Sequence, residues 1–392
     1  KIEQIVREEQ NKIGAQELLM PTIQSAEIWK ESGRYEDYGE EMLRIKDRQG
    51  KEMLYGPTNE ELITEIFRTS VKSYKSLPKL LYHIQWKFRD EVRPRFGVMR
   101  CREFLMKDAY SFDIDFENAY LSYCKMFLLY LKIFKKLGVK ALPFEADTGP
   151  IGGSLSHEFI LEASSGESEI FYDNSIHDLN IDNVDFNNSS EIKDMVLNYS
   201  KYYSRTSEKH EEKVFQNSTN EKNIIRSRGI EVGHIFYFGQ KYSNKMNAKV
   251  HDENGVSIPV FMGSYGVGIS RLVGAIIESS HDSNGIIWPK EVSPYLYNLI
   301  NLNTENEECN SLCFRIYEFI LNNNLTVLYD DKNESIGSKL ARADLIGLPF
   351  QIIVGPRGLK EGLIDVKSRS TGKIEKLKPD EELFNFINQN KV

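Results

Sequence analysis

The sequence is short of cysteine, of long apolar runs and of surplus positive charge, and each shortage removes a class of protein. Only four cysteines occur in 392 residues. Cys101 and Cys124 stand alone, and Cys309 and Cys313 are spaced for one helical face rather than as CxxC. With no histidine cluster to complete a zinc set, this excludes a metal-ribbon scaffold and points to reduced, structural thiols in a cytoplasmic protein. No run of 18 apolar residues occurs, so no membrane-spanning helix is expected. The opening Lys1-Ile2-Glu3-Gln4-Ile5-Val6 lacks the apolar core of a secretory leader. It also lacks an initiating Met and starts inside an amphipathic pattern, which implies that residues precede it. The formal net charge is -8. That argues against wholesale coating by nucleic acid and leaves local recognition open, because affinity follows clusters of Lys and Arg rather than their sum.

The length predicts two or three domains, and the composition is that of a chain able to bury sizeable cores. The most informative stretch is Phe88-Arg89-Asp90-Glu91, then Arg93-Pro94-Arg95-Phe96-Gly97, then Arg100-Cys101-Arg102-Glu103-Phe104. Apolar residues flank it and Pro94 and Gly97 signal a turn, so it reads as strand, loop, antiparallel strand. Five arginines fall between Arg89 and Arg102. Guanidiniums projected from such a ribbon are suited to phosphate, which they bind in planar, bidentate fashion without losing charge. Glu91, two residues from Arg89, would share its face on a strand and steer a neighbouring arginine. A solvated, salt-bridged hairpin explains the same residues at this point.

Taken in order, Lys1–Ile13 has helical spacing, and Glu17–Pro21 reads as a short buried strand stopped by proline. At Gly56-Pro57-Thr58-Asn59-Glu60-Glu61, Thr58 fits a helix N-cap with Glu61 completing a capping box. The alternative is that Thr58 and Glu60 offer a hydroxyl and a carboxylate to an amine. Phe116–Leu137 is a long helix, and the glycine-dense loop from Asp147 to Ser154 reads as mobile. From Asp173 to about Ile224 the chain is rich in Asn, Ser, Asp and Lys, which predicts a small, loosely packed insertion with no catalytic role. Gly229–Phe238 alternates like a strand. Val260–Leu272 follows with Gly266, Gly268 and Arg271, where a strand, glycines and an arginine in the first helical turn suit a nucleotide. It is not the dinucleotide fingerprint, which needs a third glycine and a later acidic residue. Trp288–Pro294 reads as a linker. The last hundred residues alternate strand and helix, which makes a separate α/β domain with a mixed sheet.

Several of these stretches together resemble class II aminoacyl-tRNA synthetases, and closely the bacterial prolyl-tRNA synthetases. The helix and strand ending at Pro21, Phe88-Arg89-x-Glu91 with Arg102-Glu103-Phe104, and Gly266-x-Gly268-x-x-Arg271 fall in the order of the three class signatures. Gly56-Pro57-Thr58-x-Glu60, the Asp147-Thr148-Gly149-Pro150 loop, Gly229-Ile230-Glu231-Val232-Gly233-His234 and the Asp330-Asp331 loop match the proline enzymes between them.

The resemblance implies an α+β catalytic domain, an antiparallel sheet flanked by helices, over 1–172 and 226–290. It implies a short polar insertion over 173–225 where many bacterial relatives carry an editing domain, and an α/β anticodon-binding domain over 294–392. It implies ATP-dependent ligation of L-proline to tRNA(Pro) through a prolyl-adenylate, with Mg2+ and a homodimer. Thr58 and Glu60 would hold the imino group, Arg89 would bridge the proline carboxylate and the α-phosphate, and Phe236 and Ser264 would shape the pocket. Glu91 and Arg100 would contact ATP, and Phe104 and Arg271 would enclose adenine against Gly266 and Gly268. Glu231 would sit beside ATP, with the metal ligands unassigned. Thr148, Gly149, Gly152 and Gly153 would close over substrate, and Asp331, Glu334 and Lys339 would read the anticodon. Ser270 and Ser264 depart from residues common in relatives, an acid and a cysteine. The missing editing domain implies that the protein does not hydrolyse mischarged Ala-tRNA. A non-catalytic paralogue and a synthetase for threonine or glycine are the other readings.

Overall fold

The apolar segments flanking the arginine-rich turn become two long antiparallel strands, Lys79–Phe88 and Glu103–Asp113, paired from Lys79 opposite Phe112 to Phe88 opposite Glu103. The computed structural model describes residues 1–148 and 155–390. Its contacts divide it into two units, residues 2–275 and, with Lys1, residues 276–392.

Among the described residues, the first unit is built on a nine-stranded sheet. Its order is Gln16–Glu17, Lys79–Phe88, Glu103–Asp113, Phe261–Gly268, Ile224–Gly239, Leu155–Glu162, Ala141–Glu145, Ser204–Thr206 and Ser168–Asp173. Antiparallel pairing dominates its centre. The long strand Ile224–Gly239 changes partner part-way, pairing first with Ser168–Asp173 and then with Leu155–Glu162. Gly229 stands at the change. A Cβ there would lie 2.4 Å from the Ile160 side chain and 2.7 Å from the Leu161 carbonyl, so no larger residue fits. The helix Phe116–Lys136 covers one face, its start capped by Asp115 accepting from Asn118 N at 2.8 Å. Phe127, Tyr130 and Phe134 all meet Phe159 of the sheet with ring centroids 5.1–5.8 Å apart. Each such buried ring contributes about 1.5–3 kcal/mol of apolar burial.

Lys107 lies inside this unit with no exposure. Its Nζ donates to Tyr130 Oη at 2.7 Å and to the Tyr265 carbonyl at 3.0 Å, and burial lowers its pKa to about 7. An unfolded lysine titrates near 10.4. Between pH 7 and 10 the unfolded chain therefore binds the extra proton, and this group makes stability rise with pH. Lys107→Met should gain stability relative to the parent as pH falls from 9 to 7, by about 1–3 kcal/mol. Urea unfolding of both proteins at the two pH values checks this, and a pH-independent difference contradicts it.

Two expectations need correction here. The segment expected as a buried strand over Glu17–Pro21 is strand only as far as Glu17, with Leu18 N still donating to the Tyr82 carbonyl at 2.8 Å, and Leu19 is 93 % exposed. Its apolar residues do not all face one core, although Met20 is buried. The insertion is not loosely packed. Ser189–Tyr199 is a helix on the long Phe116–Lys136 helix, with Tyr199 5.5 Å from Phe127, and Ser204–Thr206 joins the main sheet. Its composition is polar because a thin layer has few inward positions. Ile176, Ile181, Val184, Ile192, Val196, Tyr199, Tyr203 and Phe215 fill them.

The second unit holds a mixed sheet in the order Val327–Asp330, Tyr297–Asn301, Phe350–Val354, Ile364–Ser368 and Ile374–Leu377. The first two pairings are parallel and the last two antiparallel. Cys309 and Cys313, on one face of the helix Glu307–Asn322, are buried in its core as free thiols. Among the described residues no helix is long and apolar enough to cross a membrane.

Candidate active site

The strand Lys79–Phe88 ends one residue before Arg89, and this decides what the arginines do. Glu91 N turns back to the Arg89 carbonyl at 2.7 Å, so the two side chains do not share a strand face as expected. Arg89 donates to the Pro57 carbonyl from Nε and Nη2, both at 3.3 Å, and lies 5.3 Å from the Phe104 ring. Tyr38 does most to raise its pKa, burial opposes this, and Asp108, Glu231 and Glu60 add to the rise. Glu91 instead accepts from Arg93 N at 2.9 Å and from Arg100 Nε at 3.0 Å, and these two contacts hold its pKa down.

Arg271 closes the site from the helix Ile269–Ser279. Its Nε donates to the Met99 carbonyl at 2.9 Å, and Nη1 donates to the Glu231 carbonyl at 3.0 Å and carboxylate at 3.3 Å. Arg89, Glu91, Arg100, Phe104, Glu231, Gly268 and Arg271 line one cavity of about 320 Å3. Gly266 sits further into the sheet, opposite Asp108 and His234, and is not part of the lining. Burial pushes the Glu231 carboxyl up, but His234 Nδ1 at 3.3 Å, Arg271 and Arg89 outweigh it and bring it to about 2. Glu158 goes the other way. Burial first, then Glu231 and Glu208, push it up to about 8. Glu231 thus faces the arginine cavity as an ionised carboxylate, while Glu158, outside that lining, shares an adjoining cavity with Glu231 and Glu208. Glu208 comes from the insertion, which thus reaches the edge of the site.

The second cluster forms where the helix Glu60–Ser70 begins. Its N-cap is Asn59, without a side-chain cap, so the Thr58–Glu61 capping box is not formed. Thr58 Oγ1 donates to Glu60 Oε2 at 2.6 Å, and Ser264 Oγ donates to Glu60 Oε1 at 3.0 Å. Phe236 is paired opposite Ser264 and stacks on His234 at 3.8 Å. Beneath them Lys87, fully buried, donates to Asn59 Oδ1 at 3.1 Å and faces Asp108 at 2.9 Å. The two clusters meet at Pro57, whose carbonyl binds Arg89 and whose successor is Thr58.

Four residues that the sequence reading did not single out hold these groups. Glu167 accepts from Arg95 Nε and Arg100 Nη1, both at 2.7 Å, and so ties the arginine loop to the sheet edge. Glu158, Lys87 and Arg34 are the others. Thr148 lines a second cavity of about 320 Å3 with Ser156, His157 and Lys209, while Gly149, Gly152 and Gly153 lie outside the described residues. In the second unit, Asp331 and Glu334 are exposed ahead of the helix Ile336–Ile346. Lys339, expected to donate to a base, is 1 % exposed. Its ammonium is held by the Asn301 carbonyl at 2.7 Å and the Asp330 carbonyl at 3.3 Å, so it shapes the loop and is not presented for reading. Arg342, half-buried, bridges Asp330 and Glu334, while Lys332 of the same loop is exposed. Among the described residues no group of three or more His, Cys, Asp or Glu is arranged to hold a metal.

A central antiparallel sheet with arginines from two distant segments in one cavity, followed by a mixed-sheet unit, defines a class II aminoacyl-tRNA synthetase. The family model for the class II tRNA synthetase core domain (G, H, P, S and T) matches residues 43–280, and that for the anticodon-binding domain matches 298–390. The chain is 56 % identical to a proline--tRNA ligase of Hyphomonas neptunium, over 98 % of this chain and 87 % of that protein. It is 58 % identical to one of Chelativorans sp., over 96 % and 86 %. Two solved structures share the fold. They are Giardia lamblia prolyl-tRNA synthetase in complex with prolyl-adenylate, with TM-score 0.73, 19 % identity and 97 % and 68 % of the two chains covered, and prolyl-tRNA synthetase of Cryptosporidium parvum complexed with halofuginone and AMPPNP, with TM-score 0.74, 15 % identity and 99 % and 70 % covered. The chain belongs to the proline--tRNA ligase family.

Proposed function

We propose that this chain ligates L-proline to tRNA(Pro) at the expense of ATP, through a prolyl-adenylate. The observation that carries the reading is the meeting of Arg89 and the Thr58–Glu60–Ser264 cluster at Pro57. Thr58, Glu60 and Ser264 take the imino group, with Phe236 beside the ring. Arg89 takes the proline carboxylate and the α-phosphate together. Carboxylate oxygen attacks the α-phosphate and pyrophosphate leaves. The terminal ribose hydroxyl of the tRNA then attacks the prolyl carbonyl and AMP leaves. No side chain need act as a nucleophile: catalysis is positioning plus charge neutralisation. Phe104 and Arg271 enclose adenine beside Gly268, while Arg100, bridged to Glu91 and Glu167, faces the triphosphate.

Magnesium fits this site, because it is commonly held by one or two carboxylates together with substrate phosphates rather than by an all-protein set. The ionised Glu231 is the residue that would hold it, next to Glu158, and when bound it supplies positive charge to the phosphates. The catalytic domain comprises 1–172 and 226–290, interrupted by the folded layer 173–225 in place of an editing domain. The anticodon-binding domain comprises 294–392. The protein works in the cytoplasm as a homodimer.

Exchange of labelled pyrophosphate into ATP, run across amino acids, tests the reading. Proline alone should support it. Threonine or glycine dependence points to a sister enzyme, and no exchange with any amino acid points to a binding paralogue. Asp331 and Glu334 present carboxylates that can accept from a guanine amine. Glu334→Ala should slow tRNA charging several-fold and leave exchange unchanged, and equal loss in both contradicts the assignment.

A further inference from the structure

Arg34 takes no part in the chemistry above, yet it is a closely enclosed charge, 4 % exposed. It follows Gly33, whose φ of 78° turns the chain into the short helix Arg34–Asp37. Its Nη1 donates to Glu60 Oε2 at 3.1 Å and to Glu61 Oε1 and Oε2 at 3.1 and 3.2 Å. Three rings fix the guanidinium: Trp29 at 5.0 Å, Tyr242 at 5.4 Å and Tyr38 at 5.5 Å. Glu61 is anchored in turn by Ser32 Oγ at 2.8 Å. A chain of contacts thus runs from Ser32 through Glu61 and Arg34 to the carboxylate that also takes Thr58 and Ser264.

Glu60 and Glu61 are neighbouring buried carboxylates, and burial pushes the Glu61 carboxyl up. A single guanidinium hydrogen-bonded to both fixes them in place. A Glu60 side chain free to turn away would be a poor partner for a charged imino group. We propose that Arg34 is a positioning residue of the imino-acid site: by bridging Glu60 to Glu61 it holds the Glu60 carboxylate in one orientation. It touches neither substrate and acts through Glu60. The inference rests on the reading that Thr58, Glu60 and Ser264 take the imino group of proline.

Exchange kinetics on the whole chain separate the two claims, using Glu60→Gln, Arg34→Met, Arg34→Lys and the double variant Arg34→Met with Glu61→Gln. Arg34→Met should raise KM for proline about 30-fold or more while KM for ATP stays within about threefold. Arg34→Lys should be intermediate, since lysine supplies charge without the planar geometry. Adding Glu61→Gln to Arg34→Met should restore part of the proline affinity, because it removes the uncompensated neighbour. Glu60→Gln should raise KM for proline at least as much as Arg34→Met does. If Glu60→Gln leaves KM for proline unchanged, the reading of the site fails. If it raises that KM but Arg34→Met does not, or Arg34→Met raises both KM values alike, the inference alone is overturned. Should Arg34→Met not fold, Arg34→Lys decides: a selective rise in KM for proline supports the inference and a parental value overturns it.

Discussion

Arg89→Ala should lower kcat/KM for proline-dependent pyrophosphate exchange by a factor of about 10²–10³, or about 3–4 kcal/mol of transition-state stabilisation. The size follows from where the side chain sits. Arg89 lies at the junction of the two clusters, over Phe104 and against the Pro57 carbonyl. Its charge is felt together with Glu60, Asp108 and Glu231. It is therefore the cation best placed to meet a carboxylate and a phosphate at once, and the reaction brings those two anions into contact. Removing it leaves their repulsion unopposed as the bond forms, so kcat should fall as well as affinity. Arg89→Lys should recover little, because a point charge cannot replace two parallel N–H donors. The Pro57 carbonyl can be satisfied by water after the change, so thermal stability should move little. A thermal melt alongside the exchange assay distinguishes a lost catalytic contact from a damaged fold, and wild-type exchange by Arg89→Ala contradicts the role.

Arg271→Ala should cost a comparable amount, but mainly on the nucleotide side. KM for ATP should rise about 10-fold or more and kcat should fall, giving at least about 10²-fold in kcat/KM for ATP, with KM for proline changed less. Two contacts explain why one residue does so much. Arg271 pins the Met99 carbonyl, and so the end of the arginine loop, and it binds both the carbonyl and the carboxylate of Glu231. Losing it frees the loop and removes one of the partners that hold the Glu231 carboxyl down to about 2 against the effect of burial. The folded-state pKa of Glu231 should then rise. Activity that needs the ionised form is present above that pKa and lost as pH falls through it. The acid limb of the rate profile should accordingly move to higher pH in Arg271→Ala. A profile that drops in height without moving contradicts the link between Arg271 and Glu231.

The parts of this architecture visible in the sequence are those written locally. The apolar residues on either side of the Pro94 and Gly97 turn announce the pairing of Lys79–Phe88 with Glu103–Asp113, and Gly266-x-Gly268-x-x-Arg271 places an arginine in the first turn of a helix without any knowledge of the rest. Resemblance to a family then assigned roles that periodicity alone left open. What stayed hidden depends on partners far apart in the chain. Arg34 and Glu60 are 26 residues apart and Arg95 and Glu167 are 72 apart, and neither pair has a spacing that announces it. Lys339 was misleading for the same reason. It sits at the start of a helix among exposed polar residues, but the Asn301 carbonyl that captures its ammonium belongs to another strand. The 173–225 segment misled through composition, because counting apolar residues does not reveal that Ile192 and Phe215 have a prepared surface to cover.

The most direct measurement is a crystal structure of this protein with a non-hydrolysable prolyl-adenylate analogue. The account predicts the phosphate or its isostere within hydrogen-bond distance of Arg89, the adenine between Phe104 and Arg271, and the pyrrolidine nitrogen against Thr58 and Glu60. An analogue bound elsewhere, or one that engages Arg89 while its ring nitrogen turns away from Glu60, would contradict it.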